Sequence, residues 1–287
     1  MSSIHNMSAS SRLRTPVALG TAIALGVAMF VVAPSGANAV TDTSLVLEAS
    51  EAVVSESLEN IKRSDESLLL EPTTSGSTIG EVRLGEGTVT VPATPEESVI
   101  LTNPAGHSLG IRLPHPTQTG EATLSDTGTI TYPGETTANS VVVGEIGVQM
   151  LTTIARADAP TRFSYDLELT NAQRLEATSN GARVVNAQGE TELVVTKAWA
   201  KDANGHNIPT RYEVTGSTLT QIVEHTSVQN ATYPIVADPI WLAPWVLKCL
   251  FGLGITMLDI GRALFPGTPA SILALLGRGA VACIFGR

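Results

Sequence analysis

Apolar and polar positions alternate along the middle of this chain, which is typical of β-strands with one buried face. The clearest case is 162–169, where every second residue from Phe163 onward is aromatic or aliphatic. The alternation predicts strands at 88–91, 98–102, 109–113, 128–132, 140–143, 147–154, 162–169, 182–186, 191–198, 210–215 and 218–225. Asn204 and Gly205 are the usual pair for a tight hairpin turn that requires positive φ. We therefore expect a mainly β, antiparallel sandwich or barrel-like domain over 80–238.

The pattern changes at residue 239, where apolar positions begin to recur at intervals of three and four. This helical period runs from 240 to 265 and resumes from 272 to 284, with prolines at 266 and 269 between the two runs. The sequence predicts a helical hairpin over 239–287. Cys249 and Cys283 lie at similar distances from the turn, so an antiparallel hairpin brings them together as a disulfide. Two buried free thiols are the alternative.

The N-terminal 39 residues have the order of a secretory signal. Arg12 and Arg14 precede a charge-free apolar stretch at 17–32, and Ala37 and Ala39 form a small-residue cleavage site. We expect a signal helix at 1–39, cleavage after Ala39 and a secreted or cell-envelope location; an uncleaved anchor is the alternative. Residues 40–79 are predicted to be an acidic arm and linker, either helical or disordered.

The net charge of residues 40–238 is opposite in sign to that of residues 239–287. Residues 40–238 contain 26 acidic and 11 basic side chains, whereas 239–287 contain four basic residues and one acidic residue. The acidic body argues against nucleic-acid binding, which requires a basic surface. A cationic apolar segment suits an anionic membrane. Two alternatives remain: the body holds the segment electrostatically, or the charges only keep an apolar hairpin soluble.

One short motif suggests catalysis. Gly106-His107-Ser108-Leu109-Gly110 fits G-x-S-x-G, the turn that presents the serine nucleophile of esterases. That turn must follow a buried strand and begin a helix, and the nearby Pro114 and Pro116 do not allow a helix here. A Ser108 esterase is therefore only a remote alternative, and the sequence predicts no enzyme. It also predicts no cofactor and no metal site, because the two cysteines are not arranged as zinc ligands.

Three segments resemble a known group of proteins. They are Ala198-Trp199-Ala200-Lys201-Asp202-Ala203-Asn204-Gly205, Pro209-Thr210-Arg211-Tyr212-Glu213-Val214 and Thr232-Tyr233-Pro234-Ile235-Val236-Ala237-Asp238-Pro239. They are similar to segments of actinobacterial-type secreted proteins of unassigned function, over residues 85–239. The resemblance implies a shared β-rich domain followed by a variable C-terminal segment that starts near Asp238 and Pro239. It implies no catalytic residue.

Together these patterns predict a secreted, non-catalytic carrier with a bacteriocin-like, membrane-interacting hairpin. The residues expected at the membrane are the interfacial and cationic side chains Trp241, Trp245, Lys248, Arg262 and Arg278. A processing protease is a candidate partner, acting near Asp238 and Pro239. The alternative is an envelope-associated structural or adhesion protein whose hairpin packs on the β-domain.

Overall fold

The computed structural model describes residues 42–73, 78–256 and 258–260. This part of the chain contains helices α1 (Asp42–Asp65) and α2 (Pro244–Gly252) and short 3-10 helices at Glu66–Leu68, Pro116–Gln118 and His225–Ser227. Its strands are β1 (Gly80–Leu84), β2 (Gly87–Val91), β3 (Val99–Thr102), β4 (Ser108–Arg112), β5 (Thr123–Leu124), β6 (Ile130–Tyr132), β7 (Thr137–Gly144), β8 (Gly147–Ile154), β9 (Arg162–Leu167), β10 (Arg174–Thr178), β11 (Gly181–Val185), β12 (Thr191–Val195), β13 (Ala200–Lys201), β14 (Thr210–Thr215), β15 (Thr218–Val223), β16 (Ile235–Ala237) and β17 (Ile240–Leu242).

The strands form two antiparallel sheets, as the alternating pattern predicts. Sheet I has the order β1-β2-β3-β4-β9-β15-β14. Sheet II has the order β10-β11-β12-β17-β8-β7-β6-β5, and β16 pairs with β8 and with β13. The protein is therefore mainly β, and all eleven predicted segments overlap an observed strand. Strands β1, β5, β10, β13, β16 and β17 are additional.

The two sheets share one hydrophobic core. Tyr165 of sheet I and Trp241 of sheet II are both fully buried, and their ring centroids lie 5.7 Å apart. The Tyr165 hydroxyl also lies 3.4 Å from Oγ1 of Thr152 on β8. Strands β7 and β8 are buried along their whole length because their second face is covered as well.

The segment that follows α1 covers the outer face of sheet II. Gln149, on β8, is fully buried; its Oε1 accepts a hydrogen bond from the N–H of Leu70, and its Nε2 donates one to the carbonyl of Leu68, both at 2.8 Å. Ile61 of α1 is also buried. The arm that the sequence left as either helical or disordered thus includes a helix that contributes to the core.

The C-terminal segment begins differently from the prediction. A helix was expected from residue 240, but 240–242 form strand β17, which pairs with β8 and β12. The strand is buried on both faces, so it has a continuous apolar run in which no alternation marks a strand. Helix α2 begins only at Pro244, and the predicted hairpin otherwise lies largely outside the described residues.

Four hairpin loops share one hydrogen-bonding pattern. The N–H of the first loop residue donates to the carbonyl of the fifth, and the N–H of the fourth donates to the carbonyl of the first. The side-chain oxygen of the first residue also accepts a hydrogen bond from the N–H of the fifth. The fourth residue is a glycine with φ between 80° and 83°. The loops are 103–107, 125–129, 186–190 and 202–206. The tight turn predicted at Asn204 and Gly205 is present, since the Gly205 N–H donates to the Asp202 carbonyl, but only the glycine has positive φ.

The loop at 202–206 starts with a carboxylate that is almost fully buried. Although burial raises the pKa of Asp202, hydrogen bonds from the N–H groups of His206, Thr232 and Asn204 bring it below its usual range. The contribution of the carboxylate to stability is therefore complete above the ordinary aspartate pKa of about 3.9. It is lost as the pH falls through the lower pKa of the folded state.

We expect Asp202→Ala to lower the free energy of unfolding at pH 7 by about 1–3 kcal/mol, because three N–H groups lose a charged acceptor. Urea denaturation measures the change. The matched control is Asn103→Ala, in a loop of the same geometry. Asn103 is neutral, and its side chain accepts hydrogen bonds from only two N–H groups, those of Ala105 and His107. Equal losses for the two variants at pH 7 would contradict this account.

Candidate functional site

The C-terminal segment is joined to the sandwich through residues 235–242, which run along β8. Ile235 pairs with Ile154 at one end, and Leu242 pairs with Gly147 at the other. Between the two strands, the Pro239 carbonyl accepts a hydrogen bond of 2.9 Å from the N–H of Met150. The predicted processing positions, Asp238 and Pro239, thus lie within a sheet. A separate protease would need this part of the sheet to open first.

The two tryptophans expected at a membrane are core residues. Trp241 is 0% exposed and Trp245 is 7% exposed. The Trp245 indole N–H donates to the carbonyl of Leu84 at 2.8 Å and so connects α2 to sheet I. Gly87 leaves space for this indole: a Cβ at Gly87 would lie 2.5 Å from it. Burial of both rings does not fit the membrane-facing role predicted for them.

Exposure of the segment becomes mixed part-way along α2, because Leu250 and Ile260 are still buried. Lys248 and Cys249 are exposed. Beyond the helix, Leu253 is 51% exposed and Leu258 is 61% exposed. Arg262, Arg278, Cys283, Ala37 and Ala39 lie outside the described residues. The Cys249–Cys283 disulfide, the cleavage after Ala39 and the cationic role of the two arginines therefore stay predictions.

The polar centre of the segment is Asp238, which is 0% exposed. Its Oδ1 accepts a hydrogen bond of 3.3 Å from the N–H of Trp199, and its own N–H donates to the Trp199 carbonyl at 3.4 Å. The Tyr212 hydroxyl donates to the carbonyl oxygen of Asp238 at 3.2 Å. Its second carboxyl oxygen, Oδ2, accepts no hydrogen bond within the described residues.

Burial raises the pKa of Asp238 well above its usual range, and hydrogen bonding from Trp199 and the Gln149 side chain opposes this rise. Gln149 also donates from Nε2 to the carbonyl of Leu68 at 2.8 Å, so its side chain lies between Leu68 and the Asp238 carboxyl. The pKa of Tyr212 is also raised, first by burial and then by the neighbouring Asp238. Both groups therefore keep their protons to higher pH than they would in water.

The residues around Asp238 were not predicted from the sequence. Trp199 precedes β13, and Tyr212 belongs to β14. Gln221, on β15, donates from Nε2 to the Trp199 carbonyl at 3.1 Å, while its Oε1 has no partner among the described residues. The one available signal was Asp238 itself, a charged residue type between two uninterrupted apolar runs at 235–237 and 240–242.

Ser108 does not lie on the turn that an esterase requires. It begins β4, and its hydroxyl lies 2.9 Å from Oγ1 of Thr102 on the neighbouring strand. No helix follows, since β4 continues to Arg112. His225, one of the two histidines that follow at a distance suitable for a catalytic triad, has both ring nitrogens engaged, with Tyr233 Oη at 2.7 Å and the Pro160 carbonyl at 3.2 Å.

A groove of about 560 Å³ lies at the outer side of β1 to β4. Glu96 and Glu97 line it and are exposed, as expected for solvated charges. The Ser98 hydroxyl donates to Glu168 at 2.6 Å, and Arg112 lies 3.9 Å from the same carboxylate. Ser98, Glu168 and Arg112 therefore interact with one another while Glu96 and Glu97 face solvent, and we assign the groove no ligand.

Two structural findings and two comparisons with known proteins bear on what else can be assigned. Among the described residues, no group of three or more histidine, cysteine or acidic side chains could hold a metal ion. Within the same residues, no helix has both the length and the apolar character needed to cross a bilayer. No protein-family model matches the chain, and no curated protein matches it. The resemblance to actinobacterial-type secreted proteins therefore stays a prediction.

Proposed function

We propose that this chain is a secreted, non-catalytic carrier. Its β-sandwich holds one end of the C-terminal segment and presents the remainder to an anionic membrane or cell envelope. The observation that supports this proposal is the change in exposure along α2. Trp245, Val246 and Leu247 are buried, whereas Leu253 and Leu258 are 51% and 61% exposed.

The exposed part combines apolar surface with positive charge. Lys248 lies between the buried residues 245–247 and Leu253. The sequence beyond Gly254 adds three arginines and one aspartate. Apolar burial in the interfacial region and attraction to anionic headgroups act together in membrane binding. Neither contribution involves a chemical reaction, so the proposed role needs no catalytic group or cofactor.

Burial of residues 240–242 and of the first turn of α2 supports a segment that acts while still attached to the sandwich. Strand β17 and the first turn of α2 fill space between the sheets. Trp241 and Trp245 therefore act as the anchor in this proposal, and the membrane-facing role passes to the exposed residues from Lys248 onward. This replaces the bacteriocin-like peptide released by a protease that the sequence suggested.

The second candidate is an envelope-associated structural or adhesion protein without membrane binding. The same burial of Trp245, Val246 and Leu247 favours it, because these residues complete the sandwich. The two candidates differ only in what the exposed residues after α2 contact. Vesicle binding by the intact chain therefore separates them.

We expect the purified full chain to sediment with anionic phosphatidylglycerol vesicles and much less with neutral phosphatidylcholine vesicles. Replacing Leu253 and Leu258 together by serine should weaken binding about 100-fold, since each leucine loses roughly 1.5 kcal/mol of apolar burial. Raising the salt concentration should weaken the remaining binding by screening the cationic residues.

The matched control is Leu124→Ser. Leu124 is 44% exposed but lies on β5, at the edge of sheet II. This substitution should leave vesicle binding unchanged. An intact chain that binds neither vesicle type, or a Leu124→Ser variant that loses as much affinity as the double variant, would favour the structural or adhesion alternative.

A further inference from the structure

The Asp238–Pro239 peptide bond has a reactive group built into it. It is the only Asp-Pro pair in the chain. An aspartate carboxyl is tethered close to its own carbonyl carbon and can attack it by closing a five-membered ring. The proline nitrogen belongs to a tertiary amide and leaves as a secondary amine once it receives a proton. These are general properties of an Asp-Pro sequence; what distinguishes this bond is its setting.

The folded chain holds each part of this bond in place. On the acyl side, the Tyr212 hydroxyl donates to the Asp238 carbonyl oxygen at 3.2 Å, and the Trp199 N–H fixes Oδ1 at 3.3 Å. On the leaving side, the Met150 N–H binds the Pro239 carbonyl at 2.9 Å. The remaining oxygen, Oδ2, is fully buried without a hydrogen bond from the described residues. A buried carboxyl oxygen with no hydrogen bond of 3.5 Å or less from the described residues thus belongs to the same residue as a carbonyl that already has a donor.

We propose that the folded chain cleaves its own Asp238–Pro239 bond. A carboxyl oxygen of Asp238 bonds to the Asp238 carbonyl carbon, the C–N bond to Pro239 breaks, and the carboxyl proton moves to the proline nitrogen. The product is a cyclic anhydride, which one water molecule opens to give a C-terminal Asp238 and an N-terminal Pro239. The Tyr212 hydroxyl stabilises the negative charge that develops on the carbonyl oxygen, as donors do in an oxyanion hole.

The reaction needs the protonated carboxyl, and this sets its pH dependence. Burial raises the pKa of Asp238, so the proton stays on the carboxyl at pH values where an exposed aspartate has lost it. The rate should therefore be highest at acidic pH and fall as the pH rises through this raised pKa. The Tyr212 hydroxyl stays protonated over the same range because its own pKa is raised.

Cleavage leaves the two products associated. Strand β17 lies in the second fragment, and its pairing with β8 and β12 does not involve the broken bond. The inference deepens the proposed carrier function and rests on it only for the role of the fragment 239–287. Cleavage is detected by mass and membrane binding by vesicle sedimentation, so either can fail without the other.

The test is to incubate the purified full chain, folded, at several values between about pH 4 and pH 8 and to record intact masses after denaturation. We expect two fragments whose masses sum to the intact chain plus one water, with new termini at Asp238 and Pro239, formed faster at the acidic end. The same chain in concentrated urea at the same pH gives the background rate of an unstructured Asp-Pro bond. Folded chain that stays intact at every pH, or cleaves no faster than in urea, would overturn the proposal.

Two conservative variants test the role of the hydroxyl. Tyr212→Phe should slow cleavage about 100-fold, by analogy with loss of one oxyanion-hole donor. The matched control is Tyr132→Phe, a fully buried tyrosine on β6 whose hydroxyl donates to the carbonyl of Pro92 at 2.6 Å. Equal rates in these variants would overturn the assignment of Tyr212. Circular dichroism verifies folding, and Asp238→Asn, which keeps the shape but lacks the carboxyl, should abolish the acid-dependent reaction.

Discussion

Trp241→Ala is expected to lower the free energy of unfolding by about 3–5 kcal/mol, the usual range for removing a large aromatic side chain from a core. Trp241 is fully buried on β17 and contacts the ring of Tyr165 on the opposite sheet. The substitution leaves a cavity between the sheets, which the close-packed surroundings fill only in part. Urea denaturation followed by circular dichroism measures the loss.

Phenylalanine variants show whether the ring or the indole N–H matters. The Trp241 N–H has no hydrogen-bond partner among the described residues, so Trp241→Phe keeps most of the packing and removes an unsatisfied donor. Trp245→Phe, by contrast, leaves the Leu84 carbonyl without its donor and should lower the free energy of unfolding by about 1–3 kcal/mol.

A loss below about 1 kcal/mol for Trp241→Ala would mean that the indole is outside the core in solution.

Gly147→Ala is the second substitution with a large expected effect, a loss of about 2–3 kcal/mol in the free energy of unfolding. Gly147 begins β8 and pairs with Leu242 of β17. A Cβ at this position would lie 2.0 Å from the carbonyl oxygen of Trp241. The obstructing atom belongs to the backbone of a central strand, so the sheet itself must move to admit one methyl group.

The control for Gly147→Ala is Gly252→Ala. Gly252 is the last residue of α2, and a Cβ there meets no atom within 4 Å. Because alanine favours helix more than glycine by about 1 kcal/mol, this variant should be neutral or slightly more stable. Thermal or urea unfolding of the two variants side by side gives the comparison. Similar stability of both variants would show that β17 is not packed against Gly147.

The strands predicted correctly are those for which the sequence contains a local signal. In β9, buried Phe163, Tyr165 and Leu167 alternate with less buried neighbours, so the period of two is visible. In β17 all three residues are buried, and a continuous apolar run fits a strand or a helix equally well. The same ambiguity made Trp241 and Trp245 resemble interfacial residues, since an indole beside a lysine occurs both at membranes and in cores.

The candidate site could be predicted only in part. Asp238 and Pro239 were predicted only as a position for a processing protease, because their place in the sequence marks a change in composition. Trp199 and Tyr212, which contact Asp238, belong to different strands or loops, and only the sheet topology brings them together. Burial of the carboxyl also depends on the tertiary structure, because the linear sequence does not show what covers a residue.

Strand β17 lies between β8 and β12, so one of the last strands in the sequence has an interior place in sheet II. Before residue 242 has emerged from the ribosome or the export channel, β10 to β12 have no strand through which to join β8. Sheet II therefore closes only after residue 242 has been added, and its pairing spans a long stretch of sequence, which slows folding. In the proposed secreted protein, this order of pairing would leave sheet II open until residue 242 has crossed the membrane.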